Sequence, residues 1–250
     1  MKVTYIGHSG FLVETEIANL LFDYSEGMIP EVDSEKPMVV FVSHAHGDHY
    51  NPAIFALAKK YKNIQYFLSH DIRLTEEVAK EYKMTKSFIL NKITAGVQPG
   101  IRRVIPLTGV KGNDYIIFET IKSTDQGVAF LLNVGGKRIY HAGDLNWWVW
   151  EEDSKQEFNN MSALFKRAIE RINGREIYLA FAPLDPRQGK YYKHGIEYLL
   201  NATHVANVVP MHYWDKPEIM EQYEEERQTK GLETKIIKLT EARKVAYLRE

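Results

Sequence analysis

Apolar and polar positions along this chain follow two periods, and the shorter one dominates the first half. Residues 1–6, 11–15 and 19–22 are short apolar or alternating runs separated by turn residues, and each predicts a strand. Residues 38–42 are apolar without interruption, the pattern of a strand covered on both faces. Pro52 stands where a helix can start, residues 53–61 have helical composition, and residues 64–68 predict another strand. A helix is expected over residues 71–82, with Asp71 as its cap. Strands return at residues 101–105, 115–120, 128–134 and 138–141, the last two joined by the hairpin signal Gly135-Gly136. Beyond an aromatic stretch come a helix over 154–172, a strand over 177–182, a helical segment over 195–201 and a strand over 205–210. An amphipathic helix over 217–230 and edge strands at 234–238 and 244–248 complete the pattern.

The chain carries a weak internal echo. Gly10-Phe11-Leu12-Val13-Glu14-Thr15 leads through a turn to Leu20-Leu21-Phe22-Asp23. Gly127-Val128-Ala129-Phe130-Leu131-Leu132 leads through a turn to Ile139-Tyr140-His141-Ala142-Gly143-Asp144. Each is a hairpin that ends in aspartate, which fits two similar βα halves packed face to face. No low-complexity linker interrupts the sequence, so residues 1–250 are expected to form one domain.

Composition narrows the chemistry. A length of 250 residues suffices for one large core. The 32 Lys+Arg against 33 Asp+Glu give no global field that favours nucleic acid or an anionic membrane. The absence of cysteine excludes disulfides, thiolate metal sites and a cysteine nucleophile, so any metal must be held by His, Asp, Glu, amide or backbone oxygen. The first residues lack the apolar core of a signal peptide, and no apolar stretch reaches about 18 residues. A cytoplasmic protein with no membrane association is the expectation.

The residues with the most specific chemistry are Ser43-His44-Ala45-His46-Gly47-Asp48-His49, three histidines and an aspartate that follow the apolar run 38–42 directly. Imidazole and carboxylate are the donors a zinc-like cation takes when thiolate is absent. Three later points repeat the pattern of a strand end followed by a metal-capable residue: Ser123-Thr124-Asp125, His141-Ala142-Gly143-Asp144 and Pro210-Met211-His212-Tyr213.

In order and rough spacing these segments resemble the metallo-β-lactamase superfamily, over essentially the whole chain from Tyr5-Ile6-Gly7-His8 to Met211-His212. The texture GHSGFLVE, LLFDY, RIYHAGD and VVPMHY looks like its branch of metal-dependent hydrolases near the ascorbate-phosphate lactonases. The resemblance implies a four-layer αββα sandwich with the site at one edge of two packed sheets. It also implies that His44 and His46 bind a first metal, that Asp48 and His49 bind a second, that Asp144 bridges both, and that His212 completes the second site. Two cations about 3.5–4 Å apart would hold a hydroxide that is nucleophilic at neutral pH, with Asp48 able to orient it. The chain departs from the family at Lys122-Ser123-Thr124-Asp125-Gln126-Gly127, where a third first-site histidine is usual. Asp125 is the best substitute, ahead of Thr124 and Gln126. A carboxylate there makes the first site harder and more anionic, which admits manganese or iron beside zinc, or leaves that site weak or empty. One or two divalent ions are therefore expected.

Around these ligands the readings are broader. His8 is either a residue of the metal edge or a turn residue. Asp23 is expected to support the ligand loops as a carboxylate behind them, and His141 to lie behind the ligands or in the core. Trp147, Trp148 and Trp150 form either a pocket wall or a core cluster. The first two are adjacent, so at least one should be partly exposed, and a substrate-facing role is slightly favoured. In the loop 185–194, Arg187, Lys190, Tyr191 and Lys193 are candidates to contact an anionic substrate group, although each alone fits an ordinary solvated loop. His194 either contacts substrate or begins the next helix, and His70 and His204 read as structural. The function expected is a metal-dependent hydrolase acting on a small ester, lactone or phosphoester. The alternatives are an RNA or phosphodiester nuclease of the same fold, which the balanced charge disfavours, and a metal-binding sensor without catalysis.

Overall fold

The computed structural model describes residues 1–107, 114–227, 231 and 233–248. The first strands are β1 (Lys2–Gly7), β2 (Gly10–Glu14), β3 (Asn19–Phe22), β4 (Met38–Val42), β5 (Ile64–Ser69) and β6 (Ile93–Val97). They lie in one sheet in that order. β7 (Arg102–Pro106), β8 (Tyr115–Lys122), β9 (Val128–Val134), β10 (Lys137–His141), β11 (Glu176–Pro183), β12 (His204–Met211) and β13 (Lys235–Ile236) form a second sheet. β14 (Val245–Tyr247) returns to the first sheet beside β1. In the first sheet β1 to β3 are antiparallel and β3 to β6 parallel. The second repeats this, with β8 to β10 antiparallel and β10 to β13 parallel. The echo of two hairpins in the sequence thus extends to two halves of one topology.

Both sheets bury their facing sides against each other. Phe11, Phe22, Phe41 and Phe67 from the first meet Phe118, Phe130 and Phe181 from the second. The Phe11 and Phe181 rings are 4.3 Å apart and those of Phe41 and Phe130 5.1 Å. Each such side chain contributes about 1.5–3 kcal/mol through burial. Helices cover the outer faces. A 3-10 segment, Pro52–Lys59, with α1 (Glu76–Glu81) and α2 (Lys86–Lys92), packs on the outer residues of the first sheet, among them Val40, Val42 and Tyr66. On the second half, α3 (Lys155–Glu170) and α4 (His194–Ala202) bury Phe165, Ile169, Leu199 and Leu200. α5 (Ile219–Glu226) adds Ile219, Met220 and Tyr223. The result is the expected αββα sandwich. β4 is buried at all five positions because it has a sheet on one side and helices on the other.

Local details differ from the sequence pattern for identifiable reasons. The helix expected from Asp71 begins at Glu76, because Thr75 caps it by accepting the Val78 amide. Asp71 instead accepts the Ala45 amide at 2.9 Å and anchors the histidine loop. α2 and β6 escape the periodicity: α2 has no fully buried residue, and β6 is largely exposed. The segment after Pro52 is 3-10 rather than α-helical. The helix expected over 217–230 spans Ile219–Glu226, and residues 228–230 lie outside the described residues.

Loops from both sheets close on Ser43, the first residue after β4. The Val128 amide donates to the Ser43 carbonyl at 2.9 Å. Gly143 has φ +52°, and a β-carbon there would fall 2.6 Å from the Ser43 β-carbon. Gly143→Ala should therefore cost about 3 kcal/mol, a left-handed penalty of about 1–2 plus a contact cost of similar size. Gly136→Ala, in open space at φ +82°, should cost only about 1 kcal/mol. Equal losses in urea unfolding would show that the approach to Ser43 is not tight.

Candidate metal centre

The loops that carry the clustered histidines leave the carboxyl ends of parallel strands, and buried carboxylates behind them set the rings of His49 and His212. Asp23 follows β3 at φ +40° and is fully buried. It accepts the Ser43 amide at 2.7 Å, the Ser43 hydroxyl at 2.6 Å and the His49 Nδ1–H at 2.8 Å. The supporting role expected of Asp23 is what the geometry shows. Ser43 Oγ, having given its proton to Asp23, accepts from His44 Nδ1 at 2.9 Å. Both His44 and His49 therefore turn Nε2 toward the same space. Asp185, two residues past β11, does the same for His212, whose Nδ1–H it accepts at 2.9 Å. His141 is different, because Nε2–H donates to the Ser9 carbonyl at 2.9 Å and Nδ1 accepts the Gly143 amide at 3.1 Å. Both its nitrogens are used, so it lies behind the ligands as expected.

The ligand atoms converge on Asp144. Its Oδ2 is 3.4 Å from His44 Nε2, while its Oδ1 is 3.0 Å from His49 Nε2 and 3.4 Å from His212 Nε2. The two carboxylate oxygens thus face different histidines, Oδ2 toward His44 and Oδ1 toward His49 and His212. Ligand atoms lie within 4.8 Å of one another in four sets: His44, His46 and Asp48; His46, Asp125 and Asp144; His44, His49 and Asp144; His8, Asp48, His49 and His212. His49 Nε2, His212 Nε2, Asp144 Oδ1 and His8 Nε2 are buried and lack a hydrogen-bond partner. A buried polar atom left so costs about 1–3 kcal/mol, and divalent cations would satisfy all four. The donor set, imidazole nitrogen and carboxylate oxygen, fits zinc, manganese or iron.

Without metal the cluster is electrostatically polarised. Burial alone would raise the Asp144 carboxyl, but His49, His44 and His212 outweigh it and hold it well below its ordinary value. Burial alone would lower His49, but Asp144 and Asp23 outweigh it and lift its pKa to about 10. Burial, reinforced by His212 and His49, takes His8 down to about 3.

The remaining candidates separate. His8 joins the cluster. Trp148 walls it, with its indole N–H on the Asp144 carbonyl at 2.8 Å and its ring 5.4 Å from His212. Trp150 stacks on Trp148 at 6.2 Å. Trp147 turns the other way into the core beneath α3, its N–H on Ser162 Oγ at 2.9 Å and its ring 5.8 Å from Phe165. Arg187 grips Asp185 through Nε at 3.0 Å and lies 4.4 Å over the Trp214 ring, so it braces the support of His212. Lys193 pairs with Glu226 at 3.0 Å. Lys190 lies over the Tyr191 ring, and Tyr191 packs on Phe158 and His194. None of these three contacts the histidine cluster in the interactions described. His70 and His204 are exposed and stand outside the ligand sets.

The sequence reading missed Asp185, Trp214 and the loop anchor Asp71. Asp185 had a signal, an aspartate before proline at a strand end. Trp214 had another, an indole two residues past His212. A cleft of about 780 Å³ opens beside the centre, lined by Tyr5, His8, Glu26, Asp48, Asn51 and Trp214 among others.

Two packed sheets thus meet at an edge of His and Asp side chains able to hold divalent cations. A sequence profile of the β-lactamase superfamily domain matches residues 2–164, so the chain belongs to that superfamily and has the metallo-β-lactamase fold. It is 28% identical over 222 residues to a metal-dependent hydrolase of Heliobacterium modesticaldum, covering 85% of this chain and 82% of that one. It is 32% identical over 157 residues to one of Desulforamulus reducens, covering 58% of this chain and 62% of that relative, less than two thirds of its length. Among solved structures, Igni18, a metallo hydrolase from Ignicoccus hospitalis, superposes with a TM-score of 0.59 at 21% identity over 99% of both chains. Asp185 and His212 lie beyond the residues that profile matches.

Because metal-free His49 is protonated up to about pH 10 and a metal ligand must be neutral, loading at pH 8 should expel its proton. Calorimetry in buffers of different ionisation enthalpy reads this release, and a buffer-independent heat would refute it. Asp185→Asn should weaken metal binding about 10–100-fold, measured against a chelating indicator.

Proposed function

We propose that the chain hydrolyses a small neutral ester or lactone with one or two divalent cations, zinc foremost and manganese or iron as alternatives. The observation that carries this reading is the set of buried, partnerless donor atoms gathered around Asp144. His44, His46 and Asp125 would hold one cation, Asp48, His49 and His212 the other, with Asp144 shared between them. When bound, the cations supply Lewis acidity to a substrate oxygen and lower the pKa of water.

The chain's own residues do the rest. Asp23 and Asp185 keep the Nδ1 protons of His49 and His212 on the far side, so that both Nε2 lone pairs stay available. Asp48 borders the cleft with its side chain 31% exposed, so it can accept a hydrogen bond from the attacking water and orient it. Trp148 and Trp214 form the apolar walls that limit other water. The cleft lining includes Glu26 and Asp48 and no lysine or arginine among the described residues, which favours a neutral acyl substrate over a phosphoester. It likewise offers no basic track for an RNA backbone.

A second reading rests on Asp125. It is the exposed member of the set, so a singly loaded, non-hydrolytic metal sensor is the alternative. Asp144→Asn should lower kcat/KM at least about 100-fold, more than the loss of a supporting residue costs. A panel of lactones, aryl esters and aryl phosphodiesters reads this. Undiminished turnover in the variant would sink the hydrolase reading, and phosphodiesters as the best substrates would overturn the neutral-acyl assignment.

A further inference from the structure

His8 comes from the tight turn between β1 and β2, far in sequence from every residue the resemblance assigns to metal. Its side chain is nine-tenths buried, and its Nε2 has no hydrogen-bond partner. The nearest acidic atom is Asp48 Oδ2, at 3.4 Å. The ring centroid stands 4.2 Å from that of His212 and 5.5 Å from that of His49, with Trp214 against it at 4.6 Å. Its ligand atom lies within 4.8 Å of those of Asp48, His49 and His212. The backbone at His8 has φ +48°, a conformation in which glycine would be unstrained, and glycines do stand at positions 7 and 10. A merely structural turn residue would need neither the strain nor a partnerless buried nitrogen.

We propose that His8 is a metal ligand, and that the position of His8, Asp48, His49 and His212 is the high-affinity one, filled before that of His44, His46 and Asp125. This rests on the reading of the cluster as a metal centre. The chain's third non-bridging imidazole for one cation is then present, but on the other side of Asp144 from the place where the family carries it. Three imidazoles make this position the better match for zinc. His49 and His212 are buried, the His8 side chain is nine-tenths buried, and Asp23 and Asp185 set the rings of His49 and His212, so little ordering remains at binding. Asp125, by contrast, is exposed and must be ordered and partly desolvated when it binds.

The test is stepwise loading of the full-length metal-free chain with Zn(II) against a chromogenic chelator, and with Co(II) followed by X-ray absorption. Wild type should show a tight and a weaker step, with three imidazoles around the first cobalt. His8→Gln should weaken the tight step about 100-fold or more, since loss of a ligand exceeds the 10–100-fold cost of losing a ligand's support, and should leave two imidazoles. Asp125→Asn should abolish the weaker step alone. His8→Gly separates binding from folding: removing the strain should leave the melting temperature of the metal-free chain unchanged or higher, while the tight step is still lost. A tight step that survives His8→Gln within twofold, or that disappears in Asp125→Asn, overturns the proposal while leaving the metal centre intact. Failure of wild type to bind any divalent ion overturns both.

Discussion

Asp23 accepts hydrogen bonds from the Ser43 amide, the Ser43 hydroxyl and the His49 ring at 2.6–2.8 Å, so one buried carboxylate joins the end of β3 to the loop after β4. Everything at the centre follows from that junction. The Ser43 hydroxyl passes the constraint on to His44, and the hydrogen bond from His49 Nδ1 to Asp23 turns the other ring nitrogen, Nε2, toward Asp144. Charge-assisted hydrogen bonds of this length are about twice as strong as neutral ones, and burial raises what would be lost with any one of them. The same carboxylate thereby leaves His49 Nε2 buried at the edge with no hydrogen-bond partner.

The two halves of the fold put the same residue type to different uses. Asp23 follows β3 directly, and Asp144 lies three residues past β10, the strand that corresponds to β3 where antiparallel pairing gives way to parallel. Asp23 turns back into the protein and is satisfied by it. Asp144, carried further by Ala142 and the left-handed Gly143, reaches the seam and keeps an oxygen unpartnered. A repeated hairpin thus supplies both the supporting carboxylate and the one on which the histidines converge. Asp185, two residues past β11, provides the matching support for His212.

The segments whose burial is decided locally were legible in the sequence. The apolar run of β4, its histidine loop, and the strand ends that carry Asp144 and His212 all announced themselves, because a strand covered on both faces reads as a continuous run and polar ligands stand out at its end. What depends on distant partners was not. Trp147 and Trp148 are neighbours with opposite fates: α3 covers one, while the other lies against the centre. Arg187 reads as an anion binder by composition, but Asp185 two residues earlier takes its guanidinium. α2 has no fully buried residue, so no apolar stripe marked it.

Backbone strain makes the same separation in energetic terms. Among the described residues, six other than glycine have positive φ, and His8, Asp23, His212 and Trp214 are four of them. A left-handed conformation at such residues costs about 1–2 kcal/mol each, so the centre stores roughly 4–8 kcal/mol. That is comparable to the net stability of a whole domain, about 5–15 kcal/mol, and only a large core can hold it. The interdigitated phenylalanines between the sheets supply that core directly beneath the edge where the strain collects. Strain at Asp23 and His212 orients groups already tied to Ser43 and Asp185. Strain at His8 has no hydrogen bond from its Nε2 to offset it, and a cation between His8, His49 and His212 is the interaction that would.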